Sequence, residues 1–311
     1  MCPWWEKVAM MDRIRVSSGT APLLGLAEWK IDVKPTTLYF MVGEKCTGKC
    51  AYCTQGKDFL SRVRWPSFPV ENATSNLEGK AGRICIQSLY YNGVVEDIIE
   101  AVKKMNTSIP ISVSMNPTSR ENMERLKEAG VERVGIGIDC CTEELFNRWK
   151  KNVPPWNEYL DGLRTAKSVF GNATAHIIIG LGESDEDAVR IMRDMYRQGI
   201  EVALFSYTPL RGGEPPEMGR YRAMQIARCL IKKGKGSFEF EDGKMKELHI
   251  DGYDICREAF LTSGCPSCNR PFYNERVGGP IYNYPRKMSD EEFKKEINEV
   301  KKYVRICTSS P

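Results

Sequence analysis

From about residue 36, short apolar runs alternate with longer stretches whose apolar residues recur at helical spacing. "TTLYFMV" (36–42) predicts a first strand. "RICIQS" (83–88) predicts a second, followed by Val95, Ile98, Ile99 and Val102 on one helical face. "ISVSMN" (111–116), "ERVGIGID" (132–139), "ATAHIIIG" (173–180) and "EVALFSY" (201–207) predict four more strands. Helical patterns separate them. "SRENMERLKEAG" ends on Gly130, and "NEYLDGLRTAKSVFG" is closed by Gly171. "CTEELFNRWKK" and "YRAMQIARCLIKK" are two more, and a further helix starts at Ser184 with Asp187 placed for a capping box. Such alternation predicts βαβ units and a parallel sheet, with right-handed crossovers putting every C-terminal strand end on one side. Six units are too few to close an eight-fold barrel. The expected fold is therefore α/β, a partial (βα)6 TIM-type barrel with its chemistry at the C-terminal strand ends.

The last quarter changes character. "GSFEFEDGKMKELHID" alternates with period two around Asp242 and Gly243, a hairpin signal. "CREAFLTSGCPSCNRPFYNERVGGPIYNYP" (256–285) is rich in Gly, Pro and Asn and predicts no regular element. "SDEEFKKEINEVKKYVRIC" predicts a terminal amphipathic helix, capped by Ser289 and Glu292, with its charged face in water. The expected division is an N-terminal extension (1–35), the barrel (36–235) and a C-terminal extension (236–311).

Composition narrows the function classes. Hydrophobic residues make up 41% of 311 residues, enough for a sizeable core. A net charge of +4 does not argue for duplex nucleic acid as a partner. No apolar run approaches the ~18 residues of a membrane span, and the N-terminus lacks a secretory apolar core, so a cytoplasmic protein is expected. The aromatic-rich "MCPWW" reads as core or interface filler.

Cysteine changes the picture most. The chain holds twelve, and six of them fall in two groups. Cys46, Cys50 and Cys53 lie in "MVGEKCTGKCAYCTQGK", directly after the first predicted strand, and Cys256, Cys265 and Cys268 lie in the irregular segment. In a reducing compartment, clusters with short spacing point to metal or iron–sulfur ligation rather than disulfides. Cys85 and Cys229 sit inside apolar strand and helix patterns and read as small buried apolar residues. Cys2, Cys140, Cys141 and Cys307 stay unassigned. Three thiolates on one loop can hold three corners of an iron–sulfur cubane and leave one iron open. Zinc fits poorly there, because it wants four closed ligands and the two histidines, His176 and His249, are both distant in sequence.

"CTGKCAYC", with Tyr52 before the last cysteine, resembles the signature of the radical SAM superfamily, and the six-unit pattern over about 36–235 resembles that family's partial barrel. The resemblance implies a [4Fe-4S] cluster whose open iron is chelated by S-adenosylmethionine, and a 5′-deoxyadenosyl radical that abstracts hydrogen from substrate. It also implies site residues at other strand ends. Gln87 and Ser88 in "IQSLYYNG" stand where the family binds the methionine amine, although the stretch departs from the common pattern and is equally an ordinary strand end. Ser114 and Asn116 end the third strand with polar groups. Asp139 resembles the acidic residue that biotin-synthase-like members place on the ribose, the alternative being a helix N-cap. In "IIIGLGES", Gly180 and Gly182 fit close backbone approach to the adenine, while Glu183 is equally a solvated loop residue.

The second group separates the remaining readings. It is an auxiliary iron–sulfur cluster, with Cys307, Ser309, Ser310 or Arg270 as fourth ligand, or a structural zinc completed by His249 or Cys307. "GCPSCNRPFYNE" and the layout resemble the archaeal two-subunit lipoyl synthases, which are biotin-synthase-like. That resemblance implies sulfur insertion into an octanoyl chain on a carrier protein or lipoyl domain, a second radical SAM subunit, and an electron donor such as ferredoxin. The alternatives are a radical SAM enzyme of another class, such as one modifying tRNA, or a zinc-containing RNA-binding protein.

Overall fold

The structure, a computed structural model, describes residues 11–53, 65–209, 214–251, 257–271, 273, 275 and 279–309. Among the described residues the elements run β1 (Arg13–Val16), β2 (Leu38–Val42), β3 (Ser67–Pro69), α1 (Val70–Thr74), β4 (Ile84–Ser88), α2 (Val94–Met105), β5 (Ile111–Met115), α3 (Arg120–Glu128), β6 (Val131–Asp139), α4 (Glu143–Trp149), α5 (Trp156–Phe170), β7 (Ala173–Ile179), α6 (Asp185–Arg197), β8 (Glu201–Ser206), α7 (Met218–Lys233), β9 (Ser237–Glu241), β10 (Lys244–Asp251), α8 (Asp290–Tyr303) and β11 (Arg305–Ser309). The sheet order is β3-β1-β2-β4-β5-β6-β7-β8, with β2 and β4 to β8 parallel. β3 and β8 end the sheet without pairing to one another, so it curves as a partial TIM-type barrel.

All six predicted strands form, because each carries an outward row of apolar residues that the helices cover. Ile84 and Ile86, Ile111 and Val113, Val134 and Ile136, and Ala175 and Ile177 are buried. The predicted helix boundaries hold for local reasons. Ser184 with Asp187 and Ser289 with Glu292 are reciprocal capping boxes, and Gly171 caps α5 at φ 75. The Asp242–Gly243 turn has φ of 51 and 74, as a two-residue hairpin requires.

Three elements depart from expectation. β1 and β3 extend the barrel sheet by antiparallel pairing at its edge, with Arg15 opposite Met41 and Ile14 opposite Phe68. The terminal helix ends at Tyr303. Arg305–Ser309 then becomes β11, parallel to β10 in a separate three-stranded sheet ordered β11-β10-β9. β-branched and thiol side chains in "RICTS" pack along a strand at little cost, and the partner strand, more than fifty residues earlier, is invisible to local periodicity.

The C-terminal extension is fastened to the barrel through Arg222 on α7, which is 0% exposed. Its guanidinium donates to Glu296 Oε2 at 2.7 Å, to Gln225 Oε1 at 2.7 Å and to the Tyr282 carbonyl. Tyr284 donates to the other Glu296 oxygen at 2.8 Å. A buried pair of this kind mainly specifies geometry, and removing one partner strands the other charge. Arg222→Ala is therefore expected to cost about 3–5 kcal/mol. Calorimetry of the holoprotein checks this, and a loss below about 1 kcal/mol would mean the extension is anchored elsewhere.

Candidate functional site: two thiol-lined cavities in one barrel

Along the strands, side chains facing the barrel interior alternate with the buried apolar row. Cys85 and Gln87, Ser112 and Ser114, Gly135 and Gly137, and His176 with Phe205 all line interior cavities. Apart from Phe205, these positions are polar or small where a packed barrel would carry Val, Ile and Leu.

The first cavity, about 310 Å³, opens at the C-terminal strand ends and lies within the ~300–1,000 Å³ range of small-ligand sites. Cys46, Cys50 and Cys53 line it, together with Tyr52, Ser88, Ser114, Asn116, Asp139, Lys150 and His176. Backbone bonds hold the cysteine loop. Thr47 N donates to Tyr90 O at 2.8 Å, Lys49 N to Lys151 O at 2.7 Å, and Ala51 N to Trp149 O at 2.8 Å. Alternate amides are thus fixed to the loop after β4 and to the C-terminal end of α4, and the intervening side chains turn to the cavity. Burial pushes the Cys50 thiol up to about 11, with the Lys150 ammonium pulling the other way, so metal loading there must displace a proton.

Asp139 reaches the cavity through a backbone irregularity. β6 carries a bulge between Gly137 and Asp139, and Asp139 adopts φ 63, a left-handed conformation that Asp tolerates better than most residues. Its carboxylate accepts from Tyr52 OH at 2.5 Å and from Lys150 Nζ at 2.7 Å. Both bonds fall on Oδ2, leaving Oδ1 with accepting capacity. Asp139 does not cap α4, because Thr142 does, accepting from Leu145 N. Lys150 is buried under the Tyr159 ring, 4.3 Å from its centroid. Burial disfavours the ammonium, but Asp139, Tyr159 and Cys50 outweigh it and hold the pKa above the ordinary lysine value.

Beyond β7, Glu183 is buried rather than solvated. Its oxygens accept from Gly180 N at 2.8 Å and Leu181 N at 2.9 Å, and it pairs with Arg220 at 2.9 Å. Gly180, φ 107, is not among the cavity-lining residues, and a Cβ there would meet Pro216 and Tyr207 at 3.0–3.1 Å. Gln87 lines the second cavity and not the first, where it accepts from Tyr273 OH at 3.2 Å.

The second cavity, about 70 Å³, is too small for a nucleotide and lies towards the N-terminal strand ends. Cys265 and Cys268 enter it from the C-terminal extension, on a turn closed by Cys268 N donating to Cys265 O at 3.2 Å; Cys53 N and Cys50 O make the same 3.2 Å turn above. Thr36 and Thr37 donate their hydroxyls to Ser267 O at 2.6 and 2.8 Å, and Arg83 Nε to Pro266 O at 3.0 Å. The loop therefore plugs the bottom of the barrel. Arg270 stacks 4.0 Å from the Phe205 centroid and lines the same cavity.

Cys85 corrects an expectation. It is not a small apolar filler but a wall of this cavity, where burial first, and then the neighbouring Cys265 and Cys268 thiolates, raise its pKa. His176 likewise carries no site signal in the sequence. It lines both cavities, and burial and the Arg270 charge lower its pKa to about 4, leaving it neutral at ordinary pH. Gly135 makes room for it, since a Cβ there would lie 2.9 Å from His176 Nε2. Cys229 is buried in α7 as expected. His249 and Cys307 do not complete the Cys265–Cys268 group; they face each other on β10 and β11. Cys256 and Ser310 lie outside the described residues, and only the backbone of Ser309 is described.

The donors can be tested against the metals they would hold. Tetrahedral zinc with sulfur at ~2.3 Å brings its thiolates to within about 3.8 Å of one another. Among the described residues no three cysteine thiols lie within 4.8 Å of each other. The wider, thiol-only sets suit iron–sulfur clusters better than a single ion.

Comparisons with known proteins agree with this chemistry. The model of the Radical SAM superfamily matches residues 40–195. A biotin synthase of Hydrogenobaculum sp. (strain Y04AAS1) is 26% identical over 187 residues, covering 55% of this chain and 56% of the relative. A biotin synthase of Persephonella marina is 30% identical over 166 residues, covering 49% and 48%. The chain thus spans about half the length of these curated relatives. In fold, the FeFe-hydrogenase maturase HydG from Carboxydothermus hydrogenoformans superposes with TM-score 0.53 at 12% identity, over 88% of this chain and 58% of that one. A three-thiol loop after the first parallel strand of a partial barrel, together with a family match over half of the sequence, makes this chain a member of the radical SAM superfamily, whose cofactors are a [4Fe-4S] cluster and S-adenosylmethionine.

Proposed function

We propose that this protein inserts sulfur at an unactivated carbon, and that its substrate is an octanoyl chain held on a carrier protein or lipoyl domain, as for a lipoyl synthase. The observation that carries the reading is the shared wall. Ser114, His176, Phe205 and Tyr273 line both cavities, so the two thiol groups face one barrel interior from opposite ends. Hydrogen abstraction and sulfur delivery at one carbon need that proximity, since a carbon radical must be captured before it reacts elsewhere. Similarity to biotin synthases favours sulfur chemistry, and Leu89, Met115, Ile178 and Phe205 supply apolar contact for an acyl chain.

In this reading Cys46, Cys50 and Cys53 hold the first cluster, and Cys265 and Cys268 the second, with Cys85 and Cys256 as further thiolates and Arg270 beside them. When bound, the first cluster and S-adenosylmethionine supply one-electron chemistry and an adenosyl radical. The chain's own part is positional. Asp139, steadied by Tyr52 and Lys150, accepts a hydroxyl hydrogen bond through Oδ1. Ser88, Ser114 and Asn116 offer further polar contacts along the same wall. The Cys265–Cys268 loop closes the far end against water. A ferredoxin-like electron donor and a second radical SAM subunit complete the proposed system.

Iron and sulfide counting after anaerobic reconstitution tests the two-cluster basis. About eight irons per chain are expected, falling to about four in the Cys46/Cys50/Cys53 triple alanine variant. Cys85→Ala, and separately Cys256→Ala, should lower or alter only the second cluster's Mössbauer signal and leave cleavage of S-adenosylmethionine intact. A wild type with only about four irons would remove sulfur insertion while leaving radical chemistry standing. Turnover of an octanoylated lipoyl-domain peptide to a thiolated product, read by mass spectrometry, tests the substrate, and thiolation of a free biotin precursor instead would reassign it.

Asp139→Asn keeps a residue that tolerates the left-handed backbone but removes the charge. Loss of a charged hydrogen bond worth about 1.5–3 kcal/mol should weaken equilibrium binding of S-adenosylmethionine roughly 10- to 100-fold at unchanged iron content. Unaltered binding would make Asp139 an anchor for Tyr52 and Lys150 only.

A further inference from the structure

The small C-terminal sheet carries a second kind of donor set, away from both cavities. β10 pairs antiparallel with β9 and parallel with β11. Its register sets Glu247 opposite Glu239 and Arg305, and His249 opposite Cys307. Residues two apart on a strand share a face, as do residues directly opposite, so Glu239, Glu247, His249 and Cys307 all project from one side of the sheet. His249 Nε2 lies 3.2 Å from Glu239 Oε1 and 3.3 Å from Glu247 Oε2, and Cys307 Sγ lies 3.3 Å from that same Oε2. The donor atoms of Glu247, His249 and Cys307 all fall within 4.8 Å of one another.

An ion pair alone does not account for this arrangement. His249 Nε2 is shielded from solvent, yet neither carboxylate is aligned to hydrogen-bond with it. The Glu239–His249, Glu247–His249 and Glu247–Cys307 spacings of 3.2–3.3 Å come close to the edges of a coordination tetrahedron. With zinc bonds of ~2.0–2.1 Å to nitrogen, ~2.0–2.2 Å to oxygen and ~2.3 Å to sulfur, ligand atoms sit about 3.3–3.6 Å apart. Arg305 meanwhile pairs with the other Glu247 oxygen, Oε1, which orients the carboxylate and leaves Oε2 to face His249 and Cys307.

We propose that Glu247, His249 and Cys307 bind a zinc ion, with Glu239 as the fourth ligand. Mixed nitrogen, oxygen and thiolate donors in compact spacing suit zinc, whereas the thiol groups in the barrel suit iron–sulfur clusters. Binding releases the Cys307 proton. Glu239, with its side chain 65% exposed, is free to swing from His249 onto the metal. The ion ties the last strand to β10, the strand that leads in sequence to Cys256, and so fixes the extension that carries the plug loop.

The test uses anaerobically reconstituted holoprotein given one equivalent of zinc and then desalted. About one zinc per chain should be retained, with an X-ray absorption spectrum at the zinc edge showing about one sulfur and three nitrogen or oxygen neighbours. His249→Gln and Cys307→Ser should each lower zinc affinity at least about tenfold in competition with a chromophoric chelator, at unchanged iron content, and a Cys265→Ser/Cys268→Ser variant should keep its zinc. Failure of the wild type to retain zinc, full retention in both single variants, or a spectrum with two or more sulfurs would overturn the assignment. Should a variant misfold, the wild-type spectrum decides alone. The iron counts stand apart from these results, so failure here leaves the sulfur-insertion reading untouched.

Discussion

The inward face of the parallel sheet cannot pack against itself. Cys85, Gln87, Ser112, Ser114, Thr174 and His176 point into a space that a filled barrel would pack with branched apolar side chains. Burying such groups without partners costs roughly 1–3 kcal/mol each by mutational measures. Partners within the wall meet part of that cost, as Ser112 donates to Ile84 O at 2.9 Å and Gln87 accepts from Tyr273 OH at 3.2 Å, but the polar row still forgoes the apolar packing of a filled barrel. The helices satisfy the outward face completely, so stability is carried on one side of the strands and chemistry on the other.

The same division explains the charges. Asp139 and Lys150 form a pair inside the cavity wall, and desolvation makes such a pair poor evidence of stability. Its worth is positional. The ammonium sits under Tyr159 and close enough to Cys50 to offset part of that thiol's burial. Where three thiols gather, a nearby cation favours their thiolate forms, and the Asp139 carboxylate keeps that cation in place. The bulge and the left-handed backbone at Asp139 are local irregularities that this geometry requires.

Much of this was legible in the sequence, because it is local. The six parallel strands, the hairpin at Asp242 and Gly243, both capping boxes and the first cysteine loop all follow from spacings of a few residues. What escaped depends on distant partners. Nothing near "RIRV" announces that it will pair with β2, and nothing near "RICTS" announces β10. Cys85 reads as apolar filler because one thiol in "ICIQS" looks like a small apolar residue. The signal that exposes it is collective. Polar groups recur at alternate positions in three strands, at 85 and 87, 112 and 114, and 174 and 176, and only once the strands are aligned do they form one lining.

The two cysteine loops share a turn but differ in how they come to be. Cys46 to Cys53 are set by Tyr90, just after the neighbouring β4, and by Trp149 and Lys151 at the end of α4, all within the barrel. Cys265 and Cys268 are held by Thr36, Thr37 and Tyr39, about 230 positions earlier. Contacts of such separation form only after the intervening chain has folded, because the closure entropy of a long loop must be met before the contact rewards it. The first site therefore exists as soon as the barrel does. The second exists only after the C-terminal extension has docked through Arg222 and closed the bottom. Any inorganic group in the lower cavity must enter before that closure or through an opening of it, so the stability of the docking contacts sets access to the lower site as well as the fold.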